Sequence, residues 1–176
     1  PDSPDLDDGW LDPVRKYNVM LKGYLLQAGA LYTMLYRDGK YEKPDAFTFH
    51  YVPSTWGNGP VTFRYSLPDI AKIVYQEYVE RNYEGVLCEP NRFFPACNHP
   101  PILGLINYDQ VYGTKYAADV MPKFKAAWQK NNYTLPSGQN VSVMYVKQGT
   151  IRGAGGAALA VGSGGNGEME LFGPST

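Results

Sequence analysis

Cysteine is scarce in this chain. Two are present among 176 residues, Cys88 and Cys97, so at most one disulfide can form. Histidine is equally scarce, with only His50 and His99. The spacing of these four side chains is unlike a Cys-x-x-Cys zinc site, so no metal is expected. No apolar run approaches the ~20 residues of a membrane span. Neither sign of charge dominates: 16 basic residues face 17 acidic ones, for a net charge of −1. No basic stripe emerges, and nucleic acid is not an expected partner. The acidic, proline-rich start, Pro1 to Asp8, lacks the basic residues and apolar block of a signal peptide. Either the chain is not secreted or it is a mature or trimmed product, which leaves its location open between cytoplasm and a secreted or periplasmic compartment. There is no Gly-x-Ser-x-Gly elbow, phosphate loop, dinucleotide fingerprint or internal repeat.

What is present suits one domain with a real core, since 44% of residues are apolar and 19% charged. Aromatics are abundant, with 15 Tyr, 7 Phe and 3 Trp. Such a set either fills a core, with tyrosine hydroxyls reaching the surface, or lines a cavity.

Residues 1–11 read as a flexible arm. Asp12-Pro13 predicts a helix start, and Asp38-Gly39 predicts its end, giving a helix to about Arg37. From Tyr17 onward this helix is apolar on nearly every face, which predicts burial on most sides. Gly23, Ala28, Gly29 and Ala30 allow close approach. Residues 47–52 and 61–65 alternate with period two and predict a hairpin around the turn-rich stretch 53–60. Ser66-Leu67-Pro68-Asp69 is a capping box that opens a helix ending near Asn82. Its apolar stripe is Leu67, Ile70, Ala71, Val74, Tyr75, Tyr78 and Val79, with Lys72, Gln76, Glu77 and Glu80 opposite. Pro100-Pro101 predicts a helix to about Tyr112, before Gly113. Thr114 is expected to cap a further helix to about Lys130, kinked or split at Pro122. Residues 141–146 predict a short strand. Glycine crowds the stretch after residue 149, so 151–176 is set apart as a glycine-rich segment. The expectation is a chain that stops before its fold is complete.

The segment from Cys88 to Asn98 sits between helices and is kept from being a helix by Pro90 and Pro95. A stiff polar segment of this kind often displays chemistry. Two readings stay open. The cysteines are a structural disulfide or inert thiols; alternatively they face one cavity as proton donor and acceptor, their acidities split by different surroundings. In the second reading Glu89 and Asn98 orient a substrate or carry part of the proton traffic. His50 reads as a structural group or a further donor, and His99 as a helix cap. Asp38, Asp45, Asp69 and Glu89 offer no distinguished carboxylate pair for glycoside hydrolysis.

Several runs together carry a resemblance: Asn18 to Leu26, Leu31-Tyr32, Tyr41 to Asp45, Phe47-Thr48-Phe49, Cys88-Glu89-Pro90-Asn91 with Cys97-Asn98, and Tyr145 to Thr150. Over residues 14–150 the chain resembles the linalool dehydratase/isomerase family. The resemblance implies a mainly α fold, part of an (α/α)6 barrel with short β segments in loops, of which residues 12–150 would be about half. It implies a cofactor-free lyase/isomerase for a hydrophobic, terpenoid-like substrate, working by hydration and dehydration or by allylic isomerisation. Cys88 and Cys97 would be the acid/base pair, with Glu89, His50 and Tyr24 assisting. Met20, Tyr51, Trp56, Asn91, Phe94 and Asn98 would meet the substrate. The missing half of the barrel would come from another segment, a second chain or a homo-oligomer. One departure stands out: the family's Met-x-x-Gly-His becomes Met20-Leu21-Lys22-Gly23-Tyr24 here. A tyrosine donates a hydrogen bond but is a poor base near neutral pH, which points to a different substrate. A cyclase of a hydrophobic metabolite and a non-catalytic half-barrel with a Cys88–Cys97 disulfide are the alternatives.

Overall fold

A computed structural model of the chain describes residues 10–55, 59–147 and 150–154. Within them lie four α-helices: α1 (Val19–Tyr36), α2 (Leu67–Glu80), α3 (His99–Tyr112) and α4 (Tyr116–Lys130). The hairpin β1 (Phe47–Tyr51) and β2 (Val61–Tyr65) stands between α1 and α2. A second antiparallel sheet runs β3–β4–β5, from Arg92–Phe93, Val141–Tyr145 and Thr150–Ala154. The chain is therefore mainly helical with small sheets. Trp56 and the glycine-rich segment from 155 onward lie outside the described residues.

The first helix does not begin where Asp12-Pro13 suggested. Asp12 does cap, its Oδ1 accepting the backbone N–H of Val14 at 2.9 Å and of Arg15 at 3.3 Å. The turn it opens is then broken by two consecutive left-handed residues, Tyr17 (φ 50°) and Asn18 (φ 52°). Helical geometry resumes only at Val19. At the far end the left-handed residue is Arg37 (φ 52°), not Gly39. Its N–H closes the helix on the Thr33 carbonyl.

Helix α1 is the centre of the packing. It lies along α3 over most of its length and also touches α2. The approach to α3 is close because Gly23 sits on its start: a Cβ there would fall 2.4 Å from Pro101 N and 2.5 Å from Pro101 Cδ. The prediction of burial on most sides is corrected. α2 and α3 cover one side only, burying Val19, Lys22, Gly23, Leu26, Gly29, Ala30 and Thr33. Met20, Leu21, Tyr24, Leu31, Met34, Leu35 and Tyr36 are exposed in this chain.

The second helix follows its sequence. Ser66 and Asp69 form the capping box, Asp69 N–H donating to Ser66 Oγ at 3.2 Å and Ser66 N–H to Asp69 Oδ2 at 2.9 Å. Leu67, Ile70, Ala71, Val74 and Tyr78 of the stripe are buried, Tyr75 is half-buried, and Val79 at its end is exposed. Glu77 departs from the expected solvent face and turns toward α1. Helix α3 starts at the proline pair and ends at Gly113, whose φ of 69° a residue with a Cβ would adopt only with strain.

Thr114 does not cap the fourth helix. The cap comes from α3 instead: Asp109 Oδ1 accepts the Thr114 hydroxyl at 2.5 Å and Tyr116 N–H at 3.0 Å, and Oδ2 accepts Ala117 N–H at 2.8 Å. A carboxylate at this end also complements the helix dipole. Pro122 lies in the helix without splitting it. It falls in the second turn, where its missing N–H removes only one bond. No helix among the described residues is long and apolar enough to cross a membrane.

Candidate active site

Both cysteines lie on the non-helical segment between α2 and α3, against the start of α1. Asn18, the residue before α1, provides no side-chain cap. An uncapped start leaves backbone N–H groups seeking acceptors. Cys88 supplies them. Its carbonyl accepts Asn18 N–H at 3.0 Å, and its sulfur accepts the N–H of Met20. The Cys88 side chain thus ends the first turn of a helix at its positive pole.

Cys97 occupies the one-turn 3-10 helix Ala96–Asn98 that leads into α3. Its thiol hydrogen-bonds to Cys88. The two sulfurs are free and half-buried. Their acidities are driven apart. The Cys88 thiol is brought down to about 7, first by the hydrogen bond from Cys97, against the cost of burial, then by Met20 N–H and the charge of Lys22, with Glu89 opposing. The Cys97 thiol is pushed up by the Cys88 hydrogen bond, by burial, and by the negative charges of Cys88 and Glu89. The two thiols thus differ in acidity, Cys88 below and Cys97 above the ordinary thiol value.

Asn98 fixes this geometry. It is fully buried, and its whole side chain is used within the fold. Oδ1 accepts Val86 N–H at 2.8 Å and the Tyr78 hydroxyl at 3.0 Å. Nδ2 donates to Val86 O at 3.0 Å and to Phe94 O at 3.1 Å. Val86 precedes Cys88 by two residues, and Asn98 follows Cys97. The amide therefore clamps the two cysteine-bearing ends of the segment together. Its donors and its acceptor are engaged within the fold.

Asn91 is likewise turned into the fold. It sits at φ 61°, its carbonyl accepts Val146 N–H at 3.0 Å, and its Oδ1 accepts Lys147 N–H at 2.7 Å. It ties the cysteine segment to the end of β4. Phe94 is half-buried, and its carbonyl receives Cys97 N–H at 3.1 Å. Glu89 is exposed and pairs with Arg92 at 3.0 Å across the intervening turn. Met20 and Tyr24 lie one turn apart on α1, and both side chains are exposed in this chain. His50 and Tyr51 stand exposed on the hairpin, where His50 Nδ1 meets Thr62 Oγ1 at 3.0 Å rather than a cysteine. His99 is not a cap: it is fully buried, stacked on Trp128 with ring centroids 5.9 Å apart, and burial pushes its imidazole down to about 4.

A match to the family model described as linalool dehydratase/isomerase extends over residues 1–164. The chain belongs to the linalool dehydratase/isomerase family. Membership in that family suggests a lyase or isomerase, and the cysteine segment lies wholly within the match.

Lys22 and Glu77 were missed from the sequence. Lys22 is fully buried, and its Nζ lies 2.5 Å from Glu77 Oε1. The available signal was that Lys22 is the only charged residue in the whole of α1. A lysine alone in an apolar helix needs a partner if the helix is packed.

Proposed function

We propose that this chain carries the acid/base pair of a cofactor-free lyase/isomerase acting on a hydrophobic, terpenoid-like alcohol or its alkene product, on residues 12–150 that form part of an (α/α)6 barrel. Cys97 gives its proton to the substrate hydroxyl as the C–O bond breaks, and water leaves. Cys88, as thiolate, removes a proton from the adjacent carbon, and that C–H pair becomes the new double bond. One proton leaves Cys97 and one arrives on Cys88, so return across their hydrogen bond restores the pair. Hydration is the same sequence reversed. Allylic isomerisation shares its first half, with water returning at the other end of the allylic system. Tyr24, one turn from Met20 on α1, donates a hydrogen bond to the substrate in this reading. Apolar surroundings that exclude water favour each charge transfer.

The observation supporting this reading is the unequal pair: one thiol lowered at a helix start, the other held as its donor. The test is turnover of linalool and related allylic alcohols by the intact protein, with products followed by gas chromatography. Cys88→Ser and Cys97→Ser are each expected to lose about 10²- to 10⁴-fold, the usual share of positioned acid/base groups. Retention of activity within a few-fold in both variants would refute proton transfer by the cysteines and favour a cyclase that works by folding its substrate.

A further inference from the structure

Behind the cysteine pair lies a buried charge that the proposed proton transfer does not use. Lys22 is in the first turn of α1, two residues from Met20, whose N–H meets the Cys88 sulfur. It has no solvent exposure. Its Nζ lies 2.5 Å from both carboxylate oxygens of Glu77, on the second helix. Gly23 beside it is wedged against Pro100 and Pro101, so the turn carrying Lys22 cannot shift away. An ammonium is not buried at this depth without compensation.

We infer that Lys22, held charged by Glu77, is a positioning residue that keeps the negative charge of Cys88 at the start of α1. This rests on the reading of Cys88 as the proton acceptor. The surrounding groups agree with it. Lys22 meets Glu77 of α2 directly, and the charges of Asp12, before the helix, and of Cys88, in the loop, also favour its charged form. Burial lowers the lysine and raises Glu77 to about 7, each opposed by the attraction of the other. Glu80 and Arg81 also act on Glu77, with opposite signs. Around Cys88, Lys22 is the cation, Glu89 the opposing anion, and Cys97 and Met20 the hydrogen-bond donors. Lys22 stands in the first turn of the helix whose start Cys88 closes, the Cys88 carbonyl accepting Asn18 N–H at 3.0 Å.

The experiment measures the rate at which iodoacetamide alkylates Cys88 in the intact protein between pH 5 and 10, resolved by peptide mass spectrometry. Lys22→Met and the double variant Lys22→Met, Glu77→Met are compared with the parent. The double variant leaves no buried carboxylate without a partner and covers the case in which the single variant does not fold. Both variants are expected to move the Cys88 midpoint up by about half a pH unit, an about threefold slower alkylation below the midpoint. A merely structural lysine would alter the unfolding midpoint and leave this titration in place. An unmoved midpoint in either folded variant, with the parent titrating near 7, overturns the inference and leaves the proposed chemistry standing. A parent midpoint at the ordinary thiol value overturns both.

Discussion

Replacing Asn98 by Ala separates a structural clamp from a substrate contact, and the size of the effect follows from its bonds. Truncation removes the partners of Val86 N–H (2.8 Å) and Val86 O (3.0 Å). Phe94 O keeps Cys97 N–H, and the Tyr78 hydroxyl keeps the Asn98 carbonyl at 3.1 Å. Two backbone groups are therefore left without partners beside the buried Val86. At about 1–3 kcal/mol for each such group, the loss is about 4 kcal/mol. That is a large part of the about 5–15 kcal/mol that holds a domain folded. Urea unfolding at equilibrium, followed by circular dichroism, measures it directly. The clamp also sets the distance between the two cysteine-bearing ends of the segment, so the remaining folded protein should lose the low Cys88 titration. A substrate contact would behave otherwise, with KM raised and the unfolding midpoint unchanged. A destabilisation below about 1 kcal/mol would refute the clamp.

Acid should unfold the protein partly through His99. Its folded value of about 4 lies below the usual 6.5, so the stability held by the neutral ring is complete above pH 6.5 and is lost as pH falls toward 4. The span corresponds to about 3 kcal/mol, and His99→Phe should show a shallower fall in urea midpoint over that range; equal slopes would remove His99 as the cause. Gly23→Ala should destabilise by about 3 kcal/mol or more, because the new Cβ meets backbone at 2.4 Å rather than a movable side chain; thermal unfolding of the variant at the parent temperature would contradict that packing. Ser66→Ala should lose about 1 kcal/mol with the capping box, and Asp69→Ala a similar amount, both read as shifts in urea midpoint. An unchanged midpoint in Ser66→Ala would mean that the box forms but does not stabilise.

Local signals were legible wherever one short stretch holds its own instructions. The Ser66–Asp69 box, the apolar stripe of α2, the proline pair at the start of α3, Gly113 at its end and the period-two hairpin all depend on neighbours in sequence. The same logic failed at Asp12-Pro13, where a good cap opens a turn that Tyr17 and Asn18 then break, and at Thr114, displaced by a carboxylate seven and eight residues upstream of the N–H groups it caps. It failed again for α1, where apolar residues on every face said that cover is needed but not how much this chain provides.

The sequence by itself determined the family, the helical character and the segment that carries both cysteines, because these reside in residue identity and short spacings. Tertiary structure alone decided that Cys88 closes the start of α1 through Asn18, 70 residues earlier. It likewise decided that Lys22 and Glu77 meet 55 residues apart, and that Asn98 bonds to Val86, 12 residues before it. The physical reason is common to all three. The protonation of a thiol, the burial of a charge and the satisfaction of an amide depend on which groups are brought within hydrogen-bond reach, and only packing brings distant groups there.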